Sequence, residues 1–160
     1  MIAAFAGTFD PVTLGHLNLI ERSAHHVEKL YIVLVQNVSK KPLFTVDERL
    51  EMLKSETYKW PNVIVESYSG LLVDYLKERN IYVIIKGVRS SADYEYELRM
   101  SLVNKALENR IETLFLPTEP QLMHVSSSVA KEIARYGGEL DGIVSSCIEK
   151  KLIKKIFEQS

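Results

Sequence analysis

Five short apolar runs, each continuous rather than alternating, are the feature that most limits what this chain can fold into. They are Ile2–Ala6, Leu30–Val35, Val63–Val65, Tyr82–Ile85 and Thr113–Leu116. A strand with one face in water alternates apolar and polar residues, whereas an unbroken run suits a parallel strand covered on both faces. The segments between the runs have helical spacing. Leu17, Ile20, Ala24 and Val27 recur at intervals of three and four. Thr45-Val46-Asp47-Glu48 is a capping-box pattern that leads into Leu50, Met52 and Leu53, and Leu71–Arg79 stops at Asn80. Ala92–Leu107 offers Leu98, Leu102, Val103 and Ala106 as one face. Ser126–Tyr136 ends at Gly137-Gly138, and Ser145–Phe157 forms a C-terminal helical segment, about residues 143–158. This β-α-β-α-β-α-β-α-β-α-α order predicts an α/β fold, a doubly wound five-stranded parallel sheet; right-handed crossovers leave few topologies, with 3-2-1-4-5 as a candidate strand order. The length of 160 residues predicts a single domain over residues 1–160.

Charge excludes some classes of partner. There are 20 Lys and Arg against 21 Asp and Glu, a net of −1. No strongly basic nucleic-acid surface follows from that balance, so an anion site must be built from locally placed cations. No run approaches the ~18 apolar residues of a membrane span. Met1–Ala6 carries no basic region ahead of its apolar residues, so the expectation is a cytoplasmic protein with no membrane partner. The lone cysteine, Cys147, excludes a disulfide framework; beside Val144, Ile148 and Leu152 it reads as a small packing residue. Glu149, Lys150, Lys151, Lys154 and Lys155 read as a solvated helix face, with a subunit contact as the alternative.

In an open parallel sheet, ligands bind beyond the carboxyl ends of the strands, where the strand order reverses. For a 3-2-1-4-5 order that point lies between the first and fourth strands. The loop after the first is Gly7-Thr8-Phe9-Asp10-Pro11-Val12-Thr13-Leu14-Gly15-His16. It brings His16 to a helix start, where amides and the helix dipole favour an anion and the ring can donate a proton. Asp10-Pro11 alone reads as a plain turn. After the fourth strand, Lys86-Gly87-Val88-Arg89-Ser90 sets two cations around a glycine. A solvated pairing with Asp93 or Glu95 is the plain alternative. Lys40-Lys41-Pro42 adds a third cationic position, though such a triplet is usually only a loop.

Leu122-Met123-His124-Val125-Ser126-Ser127-Ser128 precedes a further helix. Capping explains one serine; three also suit a phosphate through hydroxyls and helix amides. His124 lacks a second spaced ligand for a metal, and His25-His26 reads as surface. No Cys-His pair and no Ser-His-Asp arrangement suggests a covalent nucleophile. The inventory fits nucleotidyl transfer, in which catalysis is positioning plus charge neutralisation at phosphorus.

Thr8 through Gly15-His16 resembles the T/HxGH signature of the nucleotidyltransferases, and Val125-Ser126-Ser127-Ser128-Val129-Ala130-Lys131-Glu132 resembles their second signature. With Ser39-Lys40-Lys41-Pro42-Leu43-Phe44-Thr45, Lys86-Gly87-Val88-Arg89 and Asp93-Tyr94-Glu95-Tyr96-Glu97, the chain looks like bacterial phosphopantetheine adenylyltransferase from about residue 2 to about residue 140. The resemblance implies a Rossmann-like nucleotidyltransferase fold, ATP and 4'-phosphopantetheine as substrates, dephospho-coenzyme A and pyrophosphate as products, Mg²⁺ as cofactor and a homohexamer. It implies that His16 stabilises the transition state with the cations Lys40, Lys86 and Arg89. It further implies that Thr8, Phe9, His16, Gly87, Val88, Arg89, Glu97 and the segment Leu122, Met123, His124, Val125, Ser126, Ser127 and Ser128 contact ATP. Thr8, Lys40, Leu72 and Lys86 would then hold the acceptor; no metal ligand is implied.

Two positions depart from the family pattern: Ala6 stands in place of a proline, and Lys86 in place of an arginine. Lysine is a point charge without the bidentate fork. Competing readings are a relative using CTP or a nicotinamide mononucleotide acceptor, a non-catalytic nucleotide sensor, and a flavodoxin-like domain.

Overall fold

The strand β1 (Ile2–Gly7) is paired on both sides, and the rest of the sheet grows outward from it. It lies between β2 (Lys29–Val35) and β4 (Val83–Val88); β3 (Val63–Tyr68) flanks β2, and β5 (Glu112–Pro117) flanks β4. All pairings are parallel, and the order is β3-β2-β1-β4-β5. The candidate 3-2-1-4-5 order is therefore the observed one. The structure is a computed structural model, and it describes residues 1–36 and 41–158.

Side chains from successive strand positions go to opposite faces. Along β1, Ala3 and Phe5 enter one apolar layer, and Ala4 and Ala6 the other. Along β2, Leu30, Ile32 and Leu34 enter the first layer and Val33 the second. Both faces are covered, which is why these runs are unbroken in the sequence. The first layer is closed by α1 (Leu14–Ala24), α2 (Val46–Thr57), α5 (Ser127–Arg135) and α6 (Ser146–Phe157). On the other side α3 (Leu72–Glu78) contributes Val73, Tyr75 and Leu76. The remaining helix, α4 (Ser91–Leu107), follows β4.

The Thr45 capping box forms as the sequence predicts: the Thr45 oxygen accepts from the Glu48 amide, and Glu48 accepts from the Thr45 amide at 2.7 Å. The last helix is fastened to α2 by polar contacts. Lys151 reaches Glu51 at 2.6 Å, Lys155 reaches Glu48 at 2.6 Å, and the Ser145 hydroxyl donates to Glu56 at 2.6 Å. Part of the face expected to be solvated thus bridges two helices.

Three expectations are corrected. The fourth strand runs on through Lys86, Gly87 and Val88, which the sequence reading put in a loop; pairing with Phe115, Leu116 and Pro117 carries it forward. Gly87 there allows close packing, since a Cβ would press into the side chain of Leu19 on α1. Cys147 is exposed in the first turn of α6, because Ile148 and Leu152 take the inward positions. Finally, α4 buries none of its residues. Leu98, Leu102 and Val103, expected to face a core, are exposed, along with Tyr96, Met100 and Leu107. Helical spacing shows that a face is apolar but not what lies against it.

Candidate active site

The carboxyl ends of β1 and β2 and the amino ends of α2 and α5 enclose a cavity of about 580 Å³. Thr8, Asp10, Lys41, Arg49, Ser127, Ser128 and Lys131 are among its lining residues. Of the residues expected in the site, Thr8, Ser127 and Ser128 line this cavity; Lys40 lies outside the described residues.

His16 is the third residue of α1, and its helix cap fixes its chemistry. The Thr13 amide donates to His16 Nδ1 at 3.1 Å, while the His16 amide donates to the Thr13 hydroxyl oxygen. Because Nδ1 accepts, the ring proton of the neutral imidazole resides on Nε2, which is left as a donor. The ring also packs edge-on against Phe9, with centroids 5.1 Å apart. Burial, and then the positive charge of Arg89, pull the His16 pKa down to about 4. At neutral pH the residue is therefore an uncharged hydrogen-bond donor.

The preceding loop is held in an unusual backbone conformation. Phe9 has φ 47°, in the left-handed region. Such a residue costs on the order of 1–3 kcal/mol and persists only where its surroundings hold it. The residue is 1% exposed, and its ring packs on Phe5 and His16. On one side Arg49, 3% exposed, donates from Nη1 to the Thr8 carbonyl at 2.9 Å. On the other, Asp10 Oδ2 accepts from the Leu43 amide at 2.9 Å and from Lys131 at 2.8 Å, while Oδ1 accepts from the Phe44 amide at 2.9 Å. Burial pushes the Asp10 carboxyl up, but the bonds from Lys131, Leu43 and Phe44 outweigh it and hold the pKa below the ordinary value.

Each cation at the end of β4 has an anionic partner. Lys86 Nζ lies 3.3 Å from Glu97 and 3.4 Å from the Ala6 carbonyl. Arg89 Nε donates to Asp93 at 2.8 Å, and its Nη1 donates to the Val125 carbonyl at 3.1 Å. The Asp93 pairing considered from sequence is therefore present, and Arg89 also ties the end of β4 to the segment before α5. In that segment Leu122 is half-buried, Met123 and His124 are exposed, and Val125 is buried. The three serines divide their tasks. Ser126 caps α5 by accepting from Val129, Ser127 donates to the Pro11 carbonyl at 2.7 Å, and Ser128 is exposed on the cavity. Leu72 opens α3, half-buried against the second apolar layer, and does not line this cavity.

Sequence reasoning missed Thr13, Asp10, Arg49 and Lys131. The spacing of Thr13 and His16, three apart across a helix start, is itself a capping signal. The others act through contacts far apart in the chain. Among the described residues, no group of three or more His, Cys, Asp or Glu gathers to hold a metal, and no helix is long and apolar enough to cross a membrane.

The cytidylyltransferase-like family profile matches residues 4–133. A phosphopantetheine adenylyltransferase of Petrotoga mobilis is 46% identical over 157 residues, covering 98% of this chain and 97% of that protein. The chain belongs to the phosphopantetheine adenylyltransferase family. A crystal structure from Vibrio parahaemolyticus, provisionally described as a nicotinate-nucleotide adenylyltransferase, matches 99% of this chain and 96% of its own with a TM-score of 0.72. At 14% identity that likeness shows a shared fold alone. As a member of the phosphopantetheine adenylyltransferase family, the chain is a nucleotidyltransferase enzyme.

His16 gives a direct pH test. Its folded-state pKa lies below the ordinary value of 6.5, so protonation favours the unfolded chain. Its cost to stability is absent above pH 6.5 and grows as pH falls toward 4. Nitrogen NMR at about pH 5.5 is expected to show His16 neutral with the proton on Nε2. An imidazolium at that pH would contradict the assignment.

Proposed function

We propose that this chain transfers the adenylyl group of ATP to 4'-phosphopantetheine, forming dephospho-coenzyme A and pyrophosphate, the penultimate step of coenzyme A synthesis, in the cytoplasm. The observation that carries this reading is the 46% identity to a phosphopantetheine adenylyltransferase across nearly the whole of both chains. The geometry of the site supports it. Donors and cations converge beyond the carboxyl end of β1, and the Thr13 hydroxyl, 3.0 Å from His16 Nδ1, is engaged in the helix cap.

An oxygen of the acceptor phosphate attacks the α-phosphorus of ATP. The new P–O bond forms as the bond to the β-phosphate oxygen breaks, and that electron pair leaves with pyrophosphate. The attacking oxygen is already anionic, so no base is required. The obstacle is the mutual repulsion of two anions, which fixed cations and dipoles offset. His16 donates from Nε2 to the α-phosphate as charge develops there. Lys40 and Lys86, with Thr8, hold the acceptor phosphate, and Leu72 borders the pantetheine arm. Arg89, the main chain of Phe9, Gly87 and Val88, Glu97 and the segment 122–128 receive ATP. Mg²⁺ would supply charge neutralisation for the ATP phosphates, held mainly by those phosphates and by water.

The exposed apolar residues of α4 support contact with further copies of the chain, as a homohexamer, a dimer of trimers, would provide. Leu102 is 61% exposed, Tyr96 58% and Leu107 53%. Fully covering one such side chain is worth about 1.5–3 kcal/mol, and patches this large on a monomer commonly mark an interface.

Two outcomes are expected. With ATP and Mg²⁺, purified protein forms dephospho-coenzyme A only when 4'-phosphopantetheine is present, and His16→Ala lowers kcat by on the order of 10²–10³. Transfer to nicotinamide mononucleotide, or from CTP, would point to the rival readings. Near-normal kcat in His16→Ala would remove His16 as the main stabiliser. By light scattering the protein is expected at about 110 kDa, six copies of the 18.3 kDa chain. A species of 18.3 kDa would contradict the hexamer.

A further inference from the structure

We propose that Asp10 is a positioning residue for the transfer. Its buried carboxylate fastens the segment entering α2, and α5 as well, to the loop that carries Thr8 and His16. It thereby sets the distance between the acceptor phosphate and ATP.

Three donors from two distant parts of the chain converge on this one side chain. Leu43 and Phe44, 33 and 34 residues away, supply two amides, and Lys131, 121 residues away, supplies an ammonium. Asp10 is 6% exposed, yet it stands in the wall of the cavity. An unpaired carboxylate there would repel both substrates. With its oxygens engaged by three donors, its charge is balanced within the wall, and it serves as a fixed anchor.

The two amides lie three and four positions along the sequence from Lys40, which the proposed function gives to the acceptor phosphate. Lys131 lies one helical turn beyond Ser127 and Ser128, the end of α5 given to ATP. One carboxylate therefore joins the acceptor side to the nucleotide side. Arg49 completes the arrangement by holding the Thr8 carbonyl from α2. Phe9, in its left-handed conformation, sits between these two anchor points.

This inference rests on the acceptor assignment above, and the experiment separates the two. Hydrogen exchange of the peptide spanning residues 41–45 reads the clasp directly. In the free wild-type protein the Leu43 and Phe44 amides are expected to be protected before any substrate is added. In Asp10→Asn, which keeps the shape but loses the charge and one acceptor, they are expected to exchange roughly tenfold faster or more. The same variant is expected to lower kcat about tenfold or more, with KM for either substrate within about threefold.

A purely structural role predicts another pattern: a lower melting temperature, with kcat of the folded protein unchanged. That pattern overturns the proposal. So does unchanged exchange in Asp10→Asn. Should that variant fail to fold, rapid exchange of the two amides in free wild-type protein overturns the proposal, and protection supports it. Lys40→Ala, run alongside, tests the acceptor assignment itself. An unchanged acceptor KM in Lys40→Ala, with faster exchange still seen in Asp10→Asn, sinks that assignment rather than the clasp.

Discussion

The pairing of β1 on both of its edges is the constraint on which the rest of the molecule depends. Its partners β2 and β4 are entered from helices on opposite faces of the sheet, α1 in the first apolar layer and α3 in the second. A gap therefore opens at the carboxyl end of β1, and the loop from Gly7 to Thr13 crosses it. Small residues make this possible. Ala3, Ala4 and Ala6 keep the central strand narrow, and Gly87 lets Leu19 of α1 press onto β4. The site then forms where backbone amides, helix starts and cationic side chains meet.

The electrostatics of the site follow a consistent rule: four of its cations are anchored before substrate arrives. Lys86 is held by Glu97, Arg89 by Asp93, Lys131 by Asp10, and Arg49 by the Thr8 and Thr45 carbonyls. Anchoring lowers the reorganisation required when two phosphates approach each other. The one imidazole at the centre is neutral and correctly tautomerised because a threonine cap accepts and donates around it. A donor that needs no protonation contributes equally across the pH range in which its neighbours stay charged.

Much of this was legible in the sequence. Unbroken runs such as Leu30–Val35 disclosed strands covered on both faces, and their alternation with helical spacing left few strand orders open. Thr45 and Glu48 disclosed a helix start, and Gly15-His16 placed a donor at another. What could not be read shares a physical cause: it depends on contacts between residues far apart in the chain. Asp10 next to Pro11 looks like a turn residue until Leu43, Phe44 and Lys131 are seen around it. Lys86 looks like a loop cation until β5 is seen to prolong β4. Apolar residues recur along α4, but none of them is buried against the chain's own core. Cys147 shows the limit of local composition, since apolar neighbours one turn away do not bury a residue that faces outward.

The central claim is that the enzyme aligns two anions for a direct displacement and takes no covalent part in it. The most direct test uses ATP made chiral at the α-phosphorus, with the configuration of the transferred adenylyl group read in the product. A single in-line attack by the acceptor phosphate inverts that centre, and inversion is the result this account predicts. Net retention would require two displacements through an adenylylated side chain and would contradict it.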